Sequence, residues 1–433
     1  MSGAEPVGRP DPARGSVLIV CDIVPGHRAA GEVRLVRIAA LLAEECSVVL
    51  VALDRHLEDP EDPDDGRIEE LATKGVEVLD VRGPTALRAG LVARRYDLVV
   101  LEFWHVAERA LALVRARQPQ ALVAVDTVDL HFLREERGAG VGGAVPAGLE
   151  DRKRRELAVY EGADVRIFTS QDELDRYATT IGATITGAAT TGTVGENLIL
   201  SIIVDPVPRA GRPRRPEVVF VGNFWHAPNL DGVRWFAERV WPTVRAARPD
   251  AVFSIAGSRM GPEVRRLAEV EGIETLGFID DIGALYERAA VAVAPLRFGA
   301  GVKGKVVEAL AAGLPVVATT IATEGLGLTD GVDLLVADDA EVFATRLIGL
   351  LDDPAAGARL GSSGRDAIAR RCGPEPARAV LRALAQQAQP AEPAEAWLRR
   401  RWWARTLPER AWLFVRPGLA AATRSTRRRF SGH

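Results

Sequence analysis

Lysine is nearly missing from this chain of 433 residues: of its 55 basic side chains only Lys74, Lys153, Lys303 and Lys305 are lysine, and the rest are arginine. Cysteine is equally scarce. Cys21, Cys46 and Cys372 have neither CxxC nor Cys/His spacing, which argues against a disulfide framework or a structural zinc site. No run approaches the ~18–20 apolar residues of a membrane span. Residues 1–15 are polar and proline-rich, without the apolar segment of a signal peptide, so a cytoplasmic protein with a disordered N-terminal tail is expected. The acidic run 58–65 contains two prolines and no periodicity, and reads as a solvated loop rather than a metal site. With 47% hydrophobic residues, the chain is long enough for two cores of ordinary domain size.

What is present is concentrated in residues 291–325, VAVAPLRFGAGVKGKVVEALAAGLPVVATTIATEG. An apolar run at 291–295 reads as a buried strand, and a loop holding Gly299, Gly301 and Gly304 leads into a helical run at 305–312. A second apolar strand follows at 315–318. This is a parallel β-α-β unit whose glycine loop opens onto a helix N-terminus. The first-turn amides have no intrahelical partner and the helix dipole is positive there, so an anion is favoured. Two of the four lysines, Lys303 and Lys305, add full charges at the same place. A compact ammonium suits a diphosphate approached closely by glycine backbone. Glu308, one turn into the helix, either reaches a ribose diol or pairs with a lysine.

The run Glu308-Ala309-Leu310-Ala311, followed by Gly313 and Pro315-Val316-Val317-Ala318-Thr319, resembles the donor-binding segment of the retaining GT-B glycosyltransferases of the large bacterial group 1 family, surface-polysaccharide branch. The resemblance implies an α/β fold of two Rossmann-like domains with a cleft between them. It also implies a metal-independent transferase that takes a nucleotide-diphosphate sugar as donor substrate and needs no other cofactor. Ala300 stands where that family usually has its first glutamate, implicated in contacts to the donor sugar. Glu308 is the second glutamate, which binds nucleotide ribose.

The N-terminal half alternates strands near 16–20, 48–53, 76–81, 96–101 and 122–125 with helical runs, the pattern of an open parallel sheet. No GxGxxG follows the first strand. Pro25, Arg28, Ala30, Gly31 and Arg34 resemble an acceptor-side loop of the surface-polysaccharide enzymes, although a solvated helix start fits the two arginines equally well. Beyond the strand at 122–125 comes DTVDLHFLREER, a polar cluster at a strand end where α/β sheets place ligands. Asp129, His131 and Arg134 are expected to line the cleft, with His131 the first choice for hydrogen bonding to the transferred sugar. The segment 178–196 has weak periodicity and no assigned role.

Residues 206–216, PVPRAGRPRRP, form the clearest linker. It divides an acceptor domain at 16–205 from a donor domain at 217–390. Strands near 218–221 and 252–256 end in Gly222-Asn223 and Gly257, assigned near phosphate or sugar by the resemblance. Phe278 is assigned near the base, with ordinary core as the competing reading. Arg297 is a further phosphate candidate and a catalytic one with His131 and Lys303; His226 is an alternative polar contact. Helices are expected at 340–351 and around 376–387.

Residues 391–433 are a different composition. From 396 onward there are ten arginines and one acid, Glu409, with Trp397, Trp402, Trp403 and Trp412. Such a tail fits an anionic membrane surface on the inner face of the cell membrane, or a helix docking its tryptophans on the first domain. Nucleic acid would meet the same charge but is not the expected partner. The expected partners are a nucleotide sugar and a glycan or lipid-linked acceptor. A GT-B sugar-nucleotide epimerase and a non-catalytic sugar-nucleotide-binding protein compete with the transferase reading.

Overall fold

A computed structural model describes residues 15–26, 30–54, 66–79, 84–141, 145–182, 184–186, 189–191, 195–207 and 215–388. The acidic run 58–65, Arg28, the tail 391–433 and most of the 206–216 linker lie outside the described residues. Among the described residues, fifteen strands form three sheets. The first sheet holds β1 (Ser16–Cys21), β2 (Ser47–Ala52), β3 (Val76–Val78), β4 (Leu98–Glu102), β5 (Leu122–Asp126) and β6 (Val165–Phe168). β7 (Thr184–Thr186) and β8 (Ala189–Thr191) pair as a small antiparallel hairpin, and β9 (Glu196–Ile199) returns to the first sheet, in the order β3-β2-β1-β4-β5-β6-β9. β10 (Glu217–Val221), β11 (Val252–Ala256), β12 (Ile273–Gly277), β13 (Val291–Ala294), β14 (Val316–Ala318) and β15 (Leu335–Val336) make the second sheet, ordered β12-β11-β10-β13-β14-β15.

All pairings in the two large sheets are parallel. Their central strands, such as β4, β5, β13 and β14, are buried on both faces, which is why they read as continuous apolar runs rather than alternating ones. In β1, Val17 and Ile19 pack toward the helix Ala30–Ala43 through Leu35, Ile38 and Leu42. Leu18 and Val20 pack on the other face with Val106, Ala110 and Val159. Both sheets thus present the carboxyl ends of their strands, the edge at which open α/β sheets hold ligands.

One feature lies where the sequence reading made no assignment, and two depart from it. The stretch 354–372 forms a 19-residue helix, Pro354–Cys372, capped by Asp353 accepting from the amides of Ala355 and Ala356. Its glycines serve packing: a Cβ at Gly361 would lie 2.2 Å from the Gly313 carbonyl oxygen, and one at Gly364 would lie 2.4 Å from that of Asp333. Ile202 and Val204, ahead of the 206–216 linker, already pack in the second core. The helix Pro374–Ala388, expected to close the second domain, crosses back instead. Ala377, Leu381, Leu384 and Ala388 enter the first core beside Leu35 and Leu42, and Arg378 pairs with Glu44 at 2.8 Å. Among the described residues, no helix is long and apolar enough to cross a membrane.

Candidate active site between the two sheets

The glycine loop leads from β13 to the helix Gly304–Ala311, whose first turn has no side-chain cap. Its orphan amides are therefore available to an anion. The loop is pressed against the first domain. Gly301 has φ +65°, and a Cβ there would lie 2.8 Å from Asp129 Cβ; one at Gly304 would lie 2.4 Å from Ala30 Cβ. Only glycine fits these two approaches.

Lys303 is buried, donates from Nζ to the Gly301 carbonyl at 2.5 Å and lies 4.0 Å from Glu324. Lys305 donates to Asn229 Oδ1 at 2.9 Å and stands 5.5 Å above the Phe220 ring. Burial pushes each ammonium down to about 8, against the opposing pull of Glu324 on Lys303 and of Glu308 on Lys305. Glu308 sits within the field of Lys305 and Arg37, and burial raises its carboxyl above the usual range. Two cations held out of water without full neutralisation are suited to receive a diphosphate.

Asn229 in turn donates to the Asn223 carbonyl at 2.7 Å, so the lysine is tied to the turn after β10. Gly222 and Gly257 meet there: Gly257 has φ +148°, and a Cβ on it would stand 1.7 Å from the Gly222 carbonyl oxygen. The two strand ends come together only because residue 257 is glycine. The Asn223 side chain accepts from the Trp225 amide at 2.9 Å, holding its own turn. Phe278 follows β12 and is 41% exposed.

The facing wall comes from the first domain. After β5 the chain turns through Val128, forced to φ +58°, and enters the helix His131–Gly140. Two buried carboxylates from other helices cap this start. Glu173 accepts from the Leu130 amide at 2.8 Å, and Glu156 accepts from His131 and Phe132 amides at 2.9 and 3.0 Å. Burial raises their carboxyls to about 7 and about 8 respectively. Asp129 takes His131 Nε2 at 3.0 Å and Arg134 Nη1 at 2.5 Å. Although burial opposes its ionisation, Arg134 and His131 hold the Asp129 carboxyl well below the usual range. His226 reaches toward this group from the second domain. Burial, then Arg134, pushes it down to about 4, so its imidazole is neutral at pH 7.

The structure thus brings His131, Asp129, Arg134, Gly301, Lys303, Lys305 and His226 together. Two expected residues stand elsewhere. Arg34 is buried, pairing with Asp126 and donating to the Leu200 carbonyl at 2.7 Å, so its guanidinium braces the first core instead of facing an acceptor. Arg297 makes a two-point ion pair with Asp231 on the surface of the second domain, which removes it from the phosphate group. A Cβ at Gly31 would meet Val128 and Phe103 at ordinary contact distance, 3.7 and 3.8 Å.

Other cleft residues have weaker sequence signals. Arg137 donates to both oxygens of Glu324, at 2.7 and 2.8 Å, and to the Gly299 carbonyl at 2.6 Å; Arg176 adds a 2.7 Å pair to Glu324. These clamp the glycine loop onto the first domain. Asp22, directly after β1, and His105, in the first turn of the helix Trp104–Arg117 that follows β4, are joined by a hydrogen bond. Their sequence signal is their place near the carboxyl ends of neighbouring parallel strands.

Comparison with known proteins agrees with this architecture. Residues 215–353 match the family Glycosyl transferases group 1. An uncharacterized 44.6 kDa protein in the cps region of Klebsiella pneumoniae is 31% identical over 140 residues, 30% of this chain and 36% of that protein. The match therefore spans about a third of the relative's length. Sucrose-phosphate synthase from Thermosynechococcus elongatus superposes with a TM-score of 0.66 at 18% identity, covering 88% of this chain and all of that one. Anabaena HepE, solved in complex with UDP and glucose, gives 0.64 at 13% identity, covering 86% and 99%. The chain has the GT-B fold, and residues 215–353 of its second domain are similar to the glycosyl transferases group 1 family.

Proposed function

We propose that the protein is a glycosyltransferase that moves a sugar from a nucleotide-diphosphate donor, held by the second domain, to an acceptor held by the first. The observation that carries this is the pair Lys303 and Lys305, withdrawn from water at an uncapped helix start and facing His131 and His226 across the cleft. Glu308 binds the nucleotide ribose and Phe278 lies toward the base. As the bond to the sugar breaks, negative charge grows on the diphosphate. The two ammonium groups and the first-turn amides are already aimed there, so they stabilise the transition state more than the ground state. His131, with its ring nitrogen fixed by Asp129, hydrogen-bonds the transferred sugar.

The family resemblance supports retention of anomeric configuration without a metal. The complex of HepE with UDP and glucose supports a nucleotide-sugar donor, and the cps-region relative supports an acceptor in cell-surface polysaccharide synthesis, as a glycan or lipid-linked intermediate. The arginine and tryptophan tail from 396 onward supports attachment to an anionic membrane surface.

Calorimetric titration with UDP, GDP, ADP and dTDP tests the donor site, repeated on Lys303→Ala/Lys305→Ala. Selective binding lost in the double variant is the expected result. No binding by the folded wild type to any of the four defeats the proposal. The product's anomeric coupling in a proton NMR spectrum then reports the stereochemistry.

A further inference from the structure

The first domain carries a second histidine centre that the donor-side chemistry does not use. His105 follows β4 and its Nε2 is bonded to Asp22, which follows β1. Asp22 Oδ1 is buried and makes no hydrogen bond among the described residues, so the carboxylate's hydrogen bonding is committed to His105. Arg109 stands 3.5 Å from that oxygen and closes the other side, itself paired with Asp54 at 2.6 and 2.9 Å.

The carboxylate fixes the imidazole tautomer. Nε2 carries the proton and donates to Asp22, which leaves the lone pair of Nδ1 as a hydrogen-bond acceptor. No hydrogen bond to Nδ1 exists among the described residues. The ring stacks on Phe103 at 5.3 Å and 18°, with Trp104 edge-on at 5.9 Å. Its centroid is 5.8 Å from that of His131, and its side chain is 35% exposed. Phe103 and Val128, two of the three non-glycine residues with positive φ among the described residues, lie next to this cluster. Strained backbone of this kind persists where surrounding structure holds it, often at working sites.

We infer that His105, oriented by Asp22, receives the hydroxyl of a neutral sugar acceptor through Nδ1, next to the position where His131 meets the donor. A sugar fits better than an anion here. Asp22 and Asp54 repel negative charge, Arg109 is already neutralised by Asp54, and aromatic faces beside polar groups match the mixed surface of a pyranose. The inference rests on the reading that the first domain holds the acceptor.

The test uses the full chain with histidine labelled at Cε1, titrated with octyl α- and β-glycosides of glucose, galactose and mannose in the presence of UDP. At least one glycoside should shift the His105 resonance. Its Kd should rise fivefold or more in His105→Ala and return to within twofold of wild type in His105→Asn, whose Oδ1 replaces the Nδ1 lone pair. His105→Gln, with its oxygen at the Nε2 position, should not rescue. UDP affinity should stay within twofold throughout. Equal glycoside affinity in His105→Ala overturns the inference, as does a wild type that binds none of the panel. A protein that binds a glycoside at His105 but no nucleotide would defeat the donor assignment alone; nucleotide binding without any glycoside response would defeat the acceptor site alone.

Discussion

Binding of a nucleoside diphosphate should draw protons onto the second domain above neutral pH. Burial lowers Lys303 and Lys305 from the ordinary lysine value of 10.5 to about 8. At pH 8.5 each is then roughly one quarter charged in the free protein. An opposite charge within about 4–6 Å favours the ammonium by about one to three pKa units, and about two units returns both lysines to nearly full charge. Binding at pH 8.5 should therefore take up roughly 1.4 protons, and almost none at pH 6.5, where both are already charged. Affinity should fall as pH rises from about 8 to about 10, by up to about a hundredfold per unit where both cations are required. In the absence of ligand the sign reverses. The unfolded chain holds more protons between about 8 and 10.5, so the fold gains stability across that window as pH rises. The assay is calorimetry of UDP in buffers of differing ionisation enthalpy at the two pH values, since the slope of observed enthalpy against buffer enthalpy counts protons. Tight binding at pH 8.5 with an uptake below about 0.3 protons would refute the idea that diphosphate recharges these lysines.

Glu308→Ala should weaken nucleotide binding by about 1.5–3 kcal/mol, the worth of a hydrogen bond to a charged group, with the circular dichroism spectrum unchanged; unaltered affinity removes Glu308 from the site. Gly257→Ala should cost more than about 2 kcal/mol in urea denaturation, because a Cβ would collide with the Gly222 carbonyl. Arg34→Met should cost about 3–5 kcal/mol by leaving Asp126 buried without its partner, and a stability within about 0.5 kcal/mol of wild type would contradict the bracing role. Truncation after Pro390 should abolish binding to vesicles containing anionic lipid; unchanged sedimentation with vesicles would reject membrane attachment by the tail.

The glycine loop and its lysines were legible because three independent signals coincide within a dozen residues: positive-φ glycines, scarce lysines and a strand-to-helix switch. His131 and Asp129 were legible from their place past an apolar run. What the sequence could not convey was partnership. Arg34 and Arg297 have the charge of phosphate ligands, yet Asp126 and Asp231 claim them through contacts 92 and 66 residues away. Glu156 and Glu173 read as ordinary helical acids, and only the fold turns their carboxylates onto amides at the start of a different helix. The helix Pro354–Cys372 was not assigned from sequence, since a helix that packs backbone to backbone uses glycine as a turn does.

The returning helix Pro374–Ala388 has a consequence for synthesis. During translation the first domain emerges with the stripe of Leu35, Ile38 and Leu42 still lacking the cover that Ala377, Leu381 and Leu384 supply. The whole second domain must leave the ribosome before that cover arrives. A nascent chain stalled anywhere in between displays an apolar seam, a natural holding point for a chaperone, and a gene fragment ending at the linker should yield a sticky first domain rather than an autonomous one.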